Sequence, residues 1–223
     1  MFFETTSYEG LRQVISDALE DDSVNALFLD IDSPGGEVSG LFEFVDFIYK
    51  AKSIKPIFAH VNDSAFSAAY AIASATSKIY VNRTSGVGSI GVIATHIDVS
   101  EYDKKEGLKY TSIIAGSKKN DLSPHEKLSE EATKDLQIEV NRLYEILVST
   151  VARNRGITPE QIKATEAATY FGDNAIKMGL ADELNDDPLS KIANEFGTVS
   201  DKSTTEKEET EKMNEDYKAE VLE

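Results

Sequence analysis

A run of small side chains at residues 63–75, directly after an apolar stretch, most constrains how this chain can fold. The preceding residues 56–61, Pro-Ile-Phe-Ala-His-Val, are typical of a strand that is covered on both faces of a sheet. Small residues let the next helix begin close to the sheet and leave backbone N–H groups accessible to a bound carbonyl. We therefore predict a buried helix at about 66–76, with Ser67 as a candidate nucleophile. Close packing of an alanine-rich helix is the alternative explanation.

The rest of the chain repeats this alternation of apolar strand and amphipathic helix. Residues 24–31 form another nearly continuous apolar run, which ends in Asp-Ser-Pro-Gly-Gly at 32–36. Because buried strands that alternate with helices are typical of parallel sheets, we predict an α/β fold. Thr6 and Glu9 have the spacing of a capping box at the start of the first helix. The other predicted strands are 78–81, 87–93 and 109–115, and the predicted helices are 7–20, 41–52, 99–106, 129–153, 172–179 and 188–196.

Composition bounds the number of domains. The 223 residues, 40% of them hydrophobic, can bury the core of one domain, which we place at 1–197. Residues 198–223 carry nine acidic and four basic side chains and few apolar ones, so they cannot support a core. We predict that this segment is a disordered or partner-dependent tail.

Charge and cysteine content exclude several classes of function. The formal net charge of −17 disfavours binding to a nucleic-acid backbone, because association would begin with repulsion. The chain has no cysteine, which excludes disulfides, thiolate nucleophiles and cysteine metal sites. The N-terminal residues lack the pattern of a signal peptide, and no stretch is long and apolar enough to span a membrane. We expect a soluble, cytoplasmic chain, although a removed membrane anchor is compatible with this sequence.

The sequence offers the parts that acyl transfer requires, which are a nucleophile, a base and donors for the oxyanion. The donors could be the backbone N–H groups of Gly36 and Ala68. Gly36 lies in a loop at the carboxyl end of a predicted strand, where parallel α/β sheets bind ligands. Ala68 directly follows Ser67. An ordinary turn is the alternative explanation of the Ser-Pro-Gly-Gly stretch.

The general base could be one of three histidines. His96 follows an apolar strand and is the best placed of them for a histidine mechanism. His60 lies inside a predicted strand, where a packed side chain is expected, and His125 lies in a polar loop. Neither His60 nor His125 fits the role of a base.

A lysine can replace histidine where burial lowers its pKa enough to leave it neutral near pH 7. Lys118 and Lys119 are candidates in the polar loop 116–124, and Ser89 could orient such a lysine through its hydroxyl. Solvent exposure is the ordinary state of lysines in a polar loop. The residues themselves therefore leave the choice of base open.

Four stretches together resemble the signal peptide peptidase A family of serine peptidases, including its phage branch, the minor capsid protein C or head maturation proteases. They are Asp-Ser-Pro-Gly-Gly at 32–36, Ala-Phe-Ser-Ala-Ala-Tyr at 65–70, Gly-Ser-Ile-Gly-Val at 88–92, and Ala-Gly-Ser-Lys-Lys at 115–119 followed by Pro124. Their order and spacing agree over about residues 7–185. Each motif is weak alone, whereas four in order among alternating strands and helices are specific.

The resemblance implies a ClpP/crotonase-like fold and a Ser/Lys dyad. Ser67 would be the nucleophile, and Lys119 would be the general base because it stands three residues after Gly116. Lys118 is the second choice. A dyad of this kind needs no cofactor and no metal.

The resemblance also implies roles for the residues around the dyad. Gly36 and Ala68 would be the oxyanion donors, and Ser89 would orient the lysine. An extended peptide substrate would pair beside Gly35 and Gly36. Two departures from the family pattern are visible. Ala68-Ala69-Tyr70 replaces the Gly-Gly-Tyr of many relatives, and the chain begins too late to contain the strand that opens the family fold.

The resemblance further implies partners and a setting. Family members form rings, so we expect a homo-oligomer in which neighbouring protomers complete one site. Capsid or scaffold proteins are the expected partners in a phage or prophage, and the acidic tail resembles the start of a scaffold segment. The alternatives are a signal-peptide-degrading enzyme without its anchor, a ClpP-like Ser/His/Asp peptidase that uses His96, an acyl-CoA enzyme of the same fold, and a non-catalytic capsid assembly protein.

Overall fold

The computed structural model describes residues 6–197, which divide into two compact units. Unit 1 comprises the residues up to 90 together with those from 147 onward, and unit 2 comprises residues 91–146. The tail predicted at 198–223 lies outside the described residues.

Six strands and eight helices are present within residues 6–197. The strands are β1 Leu27–Ser33, β2 Ile57–Phe66, β3 Lys78–Val81, β4 Gly86–Gly88, β5 Thr169–Phe171 and β6 Glu183–Leu184. The helices are α1 Tyr8–Glu20, α2 Leu41–Ala51, α3 Ala68–Ser74, α4 Ser100–Lys105, α5 Glu130–Arg155, α6 Pro159–Lys163, α7 Asp173–Lys177 and α8 Pro188–Phe196.

Strand β2 is the centre of the sheet. Strand β1 pairs with one of its edges, and on the other edge β3 pairs with its first half and β4 with its second half, all in parallel. The sheet then continues from β3 to β6 in parallel and from β4 to β5 in antiparallel orientation. The mostly parallel sheet confirms the predicted α/β class.

The apolar runs form these strands because both faces of the sheet are covered. On one face, Ile57, Ala59 and Val61 of β2 are fully buried in the main core. On the other face, Phe58 packs with Tyr80 of β3 and Ile192 of α8. Among the described residues, no helix is both long and apolar enough to cross a membrane.

Several predicted boundaries differ from the structure. The stretch 109–115 contains no strand, and the strand predicted at 87–93 is limited to β4. The first helix is capped by Ser7, whose Oγ accepts a hydrogen bond from the Gly10 N–H, and not by Thr6. These predictions are wrong because apolar composition and cap spacing are local, whereas a strand also needs a neighbour with which to pair.

Candidate active site

Ser67 occupies a strained turn between β2 and α3. Its backbone has φ 53° and ψ −119°, a positive φ that residues with a side chain rarely adopt. A conformation of this kind costs about 1–3 kcal/mol and persists only where the surrounding structure holds it. Here the Ser67 N–H donates to the Gly88 carbonyl at 2.9 Å, and the Ser67 carbonyl accepts from the Ala71 N–H at 3.0 Å. The side chain is partly buried.

The loop after β1 lies directly against Ser67. A Cβ placed on Gly35 would come within 3.0 Å of Ser67 Cβ and 3.5 Å of Ser67 Oγ. Gly35 also has φ +132°, which disfavours any side chain. The structure therefore brings the Pro-Gly-Gly loop and the candidate nucleophile into contact, although 31 positions separate Gly36 from Ser67 (67 − 36).

Gly36 and Ala68, the two candidate oxyanion donors, are neighbours. A Cβ on Gly36 would lie 3.8 Å from Ala68 Cβ, an ordinary van der Waals distance. Ala68 is buried and Gly36 is exposed. The two residues are therefore in contact next to Ser67.

Ser89 directly follows β4, whose last residue, Gly88, accepts the hydrogen bond from the Ser67 N–H. Its backbone is also strained, with φ 50°, and its N–H donates to the Ala168 carbonyl at 3.0 Å. The preceding Gly88 has φ +112°, and a Cβ there would meet the Ala168 carbonyl oxygen at 2.5 Å. The Gly-Ser-Ile-Gly motif therefore follows a backbone path that only glycine allows at its first position.

The glycine loop is supported by Ser33, which lies within the Asp-Ser-Pro-Gly-Gly motif, and by Tyr8, which belongs to no motif. Ser33 Oγ donates to the Gly35 carbonyl at 3.1 Å and accepts from the Gly35 N–H at 3.2 Å. The Tyr8 hydroxyl donates to the Glu37 carbonyl at 2.7 Å. The turn composition around Ser33 is a signal that could have found it, whereas Tyr8 lies 27 positions before Gly35 (35 − 8) and has no such signal.

The two candidate lysines belong to unit 2, and Ser67 belongs to unit 1. Lys119 is exposed, and its N–H closes a turn onto the Gly116 carbonyl at 3.1 Å. Lys118 forms ion pairs with Asp135 and Glu131. The hydrogen bond that Lys118 donates to the Asp135 carboxylate, together with the negative charge of that carboxylate, raises the pKa of Lys118, so this side chain stays protonated and is a poor general base.

Two of the histidines bind neighbours within unit 2. His96 Nε2 lies 2.9 Å from the Ser123 carbonyl, and because a carbonyl only accepts, this nitrogen must carry a proton. His125 Nδ1 lies 2.8 Å from Asp103 Oδ2, and the Tyr110 ring stacks on the imidazole at a centroid distance of 3.5 Å. While its hydrogen bond to Ser123 lasts, His96 Nε2 cannot accept a proton from a serine.

His60 lies in β2 and pairs with its register partner Asp30 of β1, with Nδ1 3.1 Å from Asp30 Oδ1. Its Nε2 is buried without a hydrogen-bond partner among the described residues. Within residues 6–197, no three His, Asp or Glu side chains cluster closely enough to hold a metal ion.

Solved structures share this architecture at low sequence identity. A mutant of the 1510-N membrane-bound stomatin-specific protease superposes with a TM-score of 0.55 and 18% identity, over 84% of this chain and 77% of that one. An enoyl-CoA hydratase from Shewanella pealeana superposes with a TM-score of 0.50 and 12% identity, over 85% of this chain and 61% of that one. These similarities confirm the ClpP/crotonase-like fold.

Two phage proteins are similar over most of this chain. The head-tail preconnector protein GP5 of Enterobacteria phage P21 is 37% identical over 183 residues, and the capsid assembly protease C of Escherichia phage lambda is 36% identical over 179 residues. The alignments cover 82% and 80% of this chain but 36% and 41% of the relatives. These similarities confirm the resemblance to the signal peptide peptidase A family and its phage branch. The sequence profile of Peptidase family S49 matches residues 49–195, so the chain belongs to Peptidase family S49.

Proposed function

We propose that the protein is a serine endopeptidase in which Ser67 is the nucleophile and Lys119 the general base. The observation that carries this proposal is the strained turn at Ser67, with the Gly35-Gly36 loop against it. Strain of this kind is concentrated at functional sites, and membership of a peptidase family agrees with it. The substrate would be an extended peptide segment that pairs beside Gly35 and Gly36. A solved relative of this fold, the stomatin-specific protease, contains a bound substrate peptide in one of its mutants.

The proposed reaction has two steps. Lys119, which is exposed in the single chain, would become neutral when a neighbouring chain buries it. It then takes the proton of Ser67 Oγ as this oxygen attacks the peptide carbonyl carbon, and the resulting oxyanion accepts hydrogen bonds from the Gly36 and Ala68 N–H groups. The C–N bond then breaks, and Lys119 returns the proton to the leaving amine. In the second step water loses a proton to Lys119 as its oxygen attacks the acyl carbon; the ester bond to Ser67 Oγ then breaks, and Lys119 returns the proton to Oγ as the new carboxyl group leaves.

The dyad is tested by replacing each member. Ser67→Ala and Lys119→Ala should each lose peptidase activity and labelling by a fluorophosphonate probe, which phosphonylates activated serines and releases fluoride. Lys118→Ala is the matched control, because it is the adjacent lysine and is engaged with Asp135. Full activity of both Ser67→Ala and Lys119→Ala would exclude the dyad, and loss of activity in Lys118→Ala alone would move the base to that residue.

We also propose that the working form is a homo-oligomer whose protomers share sites. Unit 2, which carries Lys119, exposes large apolar side chains, and a second copy of the chain would remove them from water. The most exposed are Ile113 at 98%, Ile93 at 86%, Ile97 at 68% and Ile138 at 67%. Three of them lie in the stretches 91–99 and 108–115, which form no strand within the described chain and could pair with a neighbour.

Site sharing is tested by mixing two inactive variants. If Ser67 of one protomer works with Lys119 of the next, Ser67→Ala mixed with Lys119→Ala recovers roughly a quarter of the sites in a closed ring. Light scattering should show an assembly larger than one chain. A monomer, or an oligomer whose mixed variants remain inactive, would contradict the shared site.

The setting that we propose is capsid maturation in a phage or prophage, because two of the similar proteins carry phage capsid and head-tail names. The expected substrate is a capsid or scaffold protein encoded by the same phage. Mass spectrometry of that protein after incubation with the wild-type chain and with Ser67→Ala should show cleavage by the wild type alone. Cleavage of signal peptides in place of capsid proteins would favour the alternative, a signal-peptide-degrading enzyme.

A further inference from the structure

Tyr8, at the start of α1, contacts the loop that carries the candidate oxyanion donor Gly36. Resting on the proposed function, we propose that Tyr8 is a positioning residue that holds the Gly36 N–H group in place to stabilise the oxyanion. It would act through the loop and not by touching the substrate.

The Tyr8 hydroxyl contacts the loop at Gly36 and at the residue that follows it. It donates to the Glu37 carbonyl at 2.7 Å. The same oxygen lies 3.0 Å from the position that a Cβ on Gly36 would occupy, so the hydroxyl covers the face of Gly36 from which a side chain would project. Further along the loop, the Tyr8 ring lies 3.5 Å from the corresponding position on Gly40.

The Tyr8 ring is itself held by the core. It stacks on Phe44 of α2 with a centroid distance of 5.7 Å and an interplanar angle of 27°, and Phe44 is only 3% exposed. The Ser7 cap fixes the start of α1 directly before Tyr8. Burial and the nearby Glu37 carboxylate raise the pKa of Tyr8, so the hydroxyl remains a donor throughout the pH range of a peptidase.

The loop needs such support because its two glycines do not restrict their own backbone. Ser33 holds Gly35 on one side of the donor through its two hydrogen bonds. Tyr8 holds Glu37 on the other side. With both neighbours anchored, the peptide group between Gly35 and Gly36 is held in one orientation. The Gly36 N–H group is therefore already oriented before negative charge develops on the substrate oxygen.

Removing the hydroxyl tests this role. Tyr8→Phe keeps the ring and its contact with Phe44, and Tyr49→Phe is the matched control on α2, where the ring packs against Lys52 and Arg153. We expect kcat on a fluorogenic peptide to fall by about tenfold in Tyr8→Phe with KM within about twofold of the wild type, because the donor acts in the transition state. Affinity for a peptide aldehyde, which forms a tetrahedral adduct with the serine, should fall in parallel. Tyr49→Phe should match the wild type in all three quantities.

A second variant tests whether the hydroxyl and Gly36 act together. Gly36 is not among the positive-φ glycines, so an alanine there is limited mainly by the Tyr8 hydroxyl at 3.0 Å. Gly36→Ala should lower kcat. Adding Tyr8→Phe to Gly36→Ala should lower kcat by a smaller factor than Tyr8→Phe does in the wild type, because removal of the hydroxyl makes room for the alanine methyl group. Additive effects would contradict the coupling.

The outcomes separate this inference from the proposed function. Unchanged kcat in Tyr8→Phe would overturn the positioning role, whether or not the melting temperature falls, and so would a rise in KM with kcat unchanged. In each case an inactive Ser67→Ala leaves the proposed function intact. An active Ser67→Ala overturns both, since no acyl-enzyme oxyanion would then form.

Discussion

Arg155 and Asp182 form a two-pronged ion pair that links the end of α5 to the start of β6. The Arg155 Nη1 and Nη2 atoms lie 3.0 and 2.7 Å from the two carboxylate oxygens of Asp182, and the Arg155 side chain is only 9% exposed. Arg155 Nε also donates to the Gly179 carbonyl, and Asp182 accepts from the Ile79 N–H at 2.7 Å. The pair therefore connects α5, the segment after α7 and the inner strand β3.

Replacing Arg155 should destabilise the fold, because the Asp182 carboxylate would lose the positive charge with which it pairs. We expect Arg155→Met to lower the free energy of unfolding of the chain by about 3 kcal/mol, since a buried ion pair is broken from one side. Arg142→Met is the matched control, because Arg142 also binds both carboxylate oxygens of Glu139, through Nε and Nη2, but both side chains are more than half exposed. The control should cost less than about 1 kcal/mol. Equal losses in urea denaturation of the two variants would contradict the role of burial.

Glu183 of β6 should make stability depend on acid pH. Hydrogen bonds from Lys191 and Lys78, each at 2.7 Å, lower the pKa of Glu183 to about 2 from its ordinary value of 4.5. Because the pKa is lower in the folded state, this carboxylate stabilises the fold fully above pH 4.5, and the contribution is lost as pH falls from 4.5 towards 2.

The measurement is the melting temperature between pH 6 and about 2.5, taken at low protein concentration because the sequence pI is about 4.6. Glu183→Gln should have a lower melting temperature than the wild type at pH 6 and a shallower decline below pH 4.5. The exposed Glu195→Gln on α8 serves as the control. Parallel curves for the wild type and Glu183→Gln would contradict the prediction.

Gly35 should tolerate no side chain, because a Cβ would clash with Ser67 and the φ of +132° is unfavourable for other residues. We expect Gly35→Ala to lower kcat by about 100-fold, as the nucleophile or the loop must shift by a fraction of an ångström or more. Gly156→Ala is the control, since Gly156 also has a positive φ of +66° but open space around it. It should lose about 1 kcal/mol of stability and keep its peptidase activity. A fully active Gly35→Ala would show that this contact is not needed.

The buried Asp103 should anchor the loop that carries Lys119. Its carboxylate binds His125 at 2.8 Å and it is only 6% exposed, while His125 lies six positions after Lys119 (125 − 119). We expect Asp103→Ala to lose about 1–3 kcal/mol, because the imidazole loses its partner. Asp103→Asn keeps an acceptor oxygen and should lose less.

Hydrogen exchange over residues 116–129 is the direct measurement of this anchoring. Exchange should quicken in Asp103→Ala, and Glu106→Ala at the exposed end of α4 should resemble the wild type. Unchanged exchange in Asp103→Ala would mean that the loop is held by other contacts, such as the hydrogen bond from the Val99 N–H to the Pro124 carbonyl.

Local sequence patterns were sufficient to predict a helix or strand where burial and periodicity agree over many residues. The apolar stripe from Leu41 predicts a helix at 41–52, and the structure has α2 at Leu41–Ala51. The same logic does not hold for 109–115, because Ile113 and Ile114 are exposed and no strand of the described chain pairs with this stretch. Strand β5, Thr169–Phe171, escapes prediction because three residues are too few for a periodic signal.

The sequence by itself determined the α/β class, the order of the four motifs and the choice of Ser67 as a nucleophile candidate, because these depend on residue type and spacing along the chain. Only the tertiary structure decided that Ser67 has a strained backbone and that Gly35 lies against it. It also placed Tyr8 beside Gly36 and engaged Lys118 with Asp135. The physical reason is that these relationships join residues from different elements, and a pattern of neighbouring residues does not specify which distant surfaces pack together.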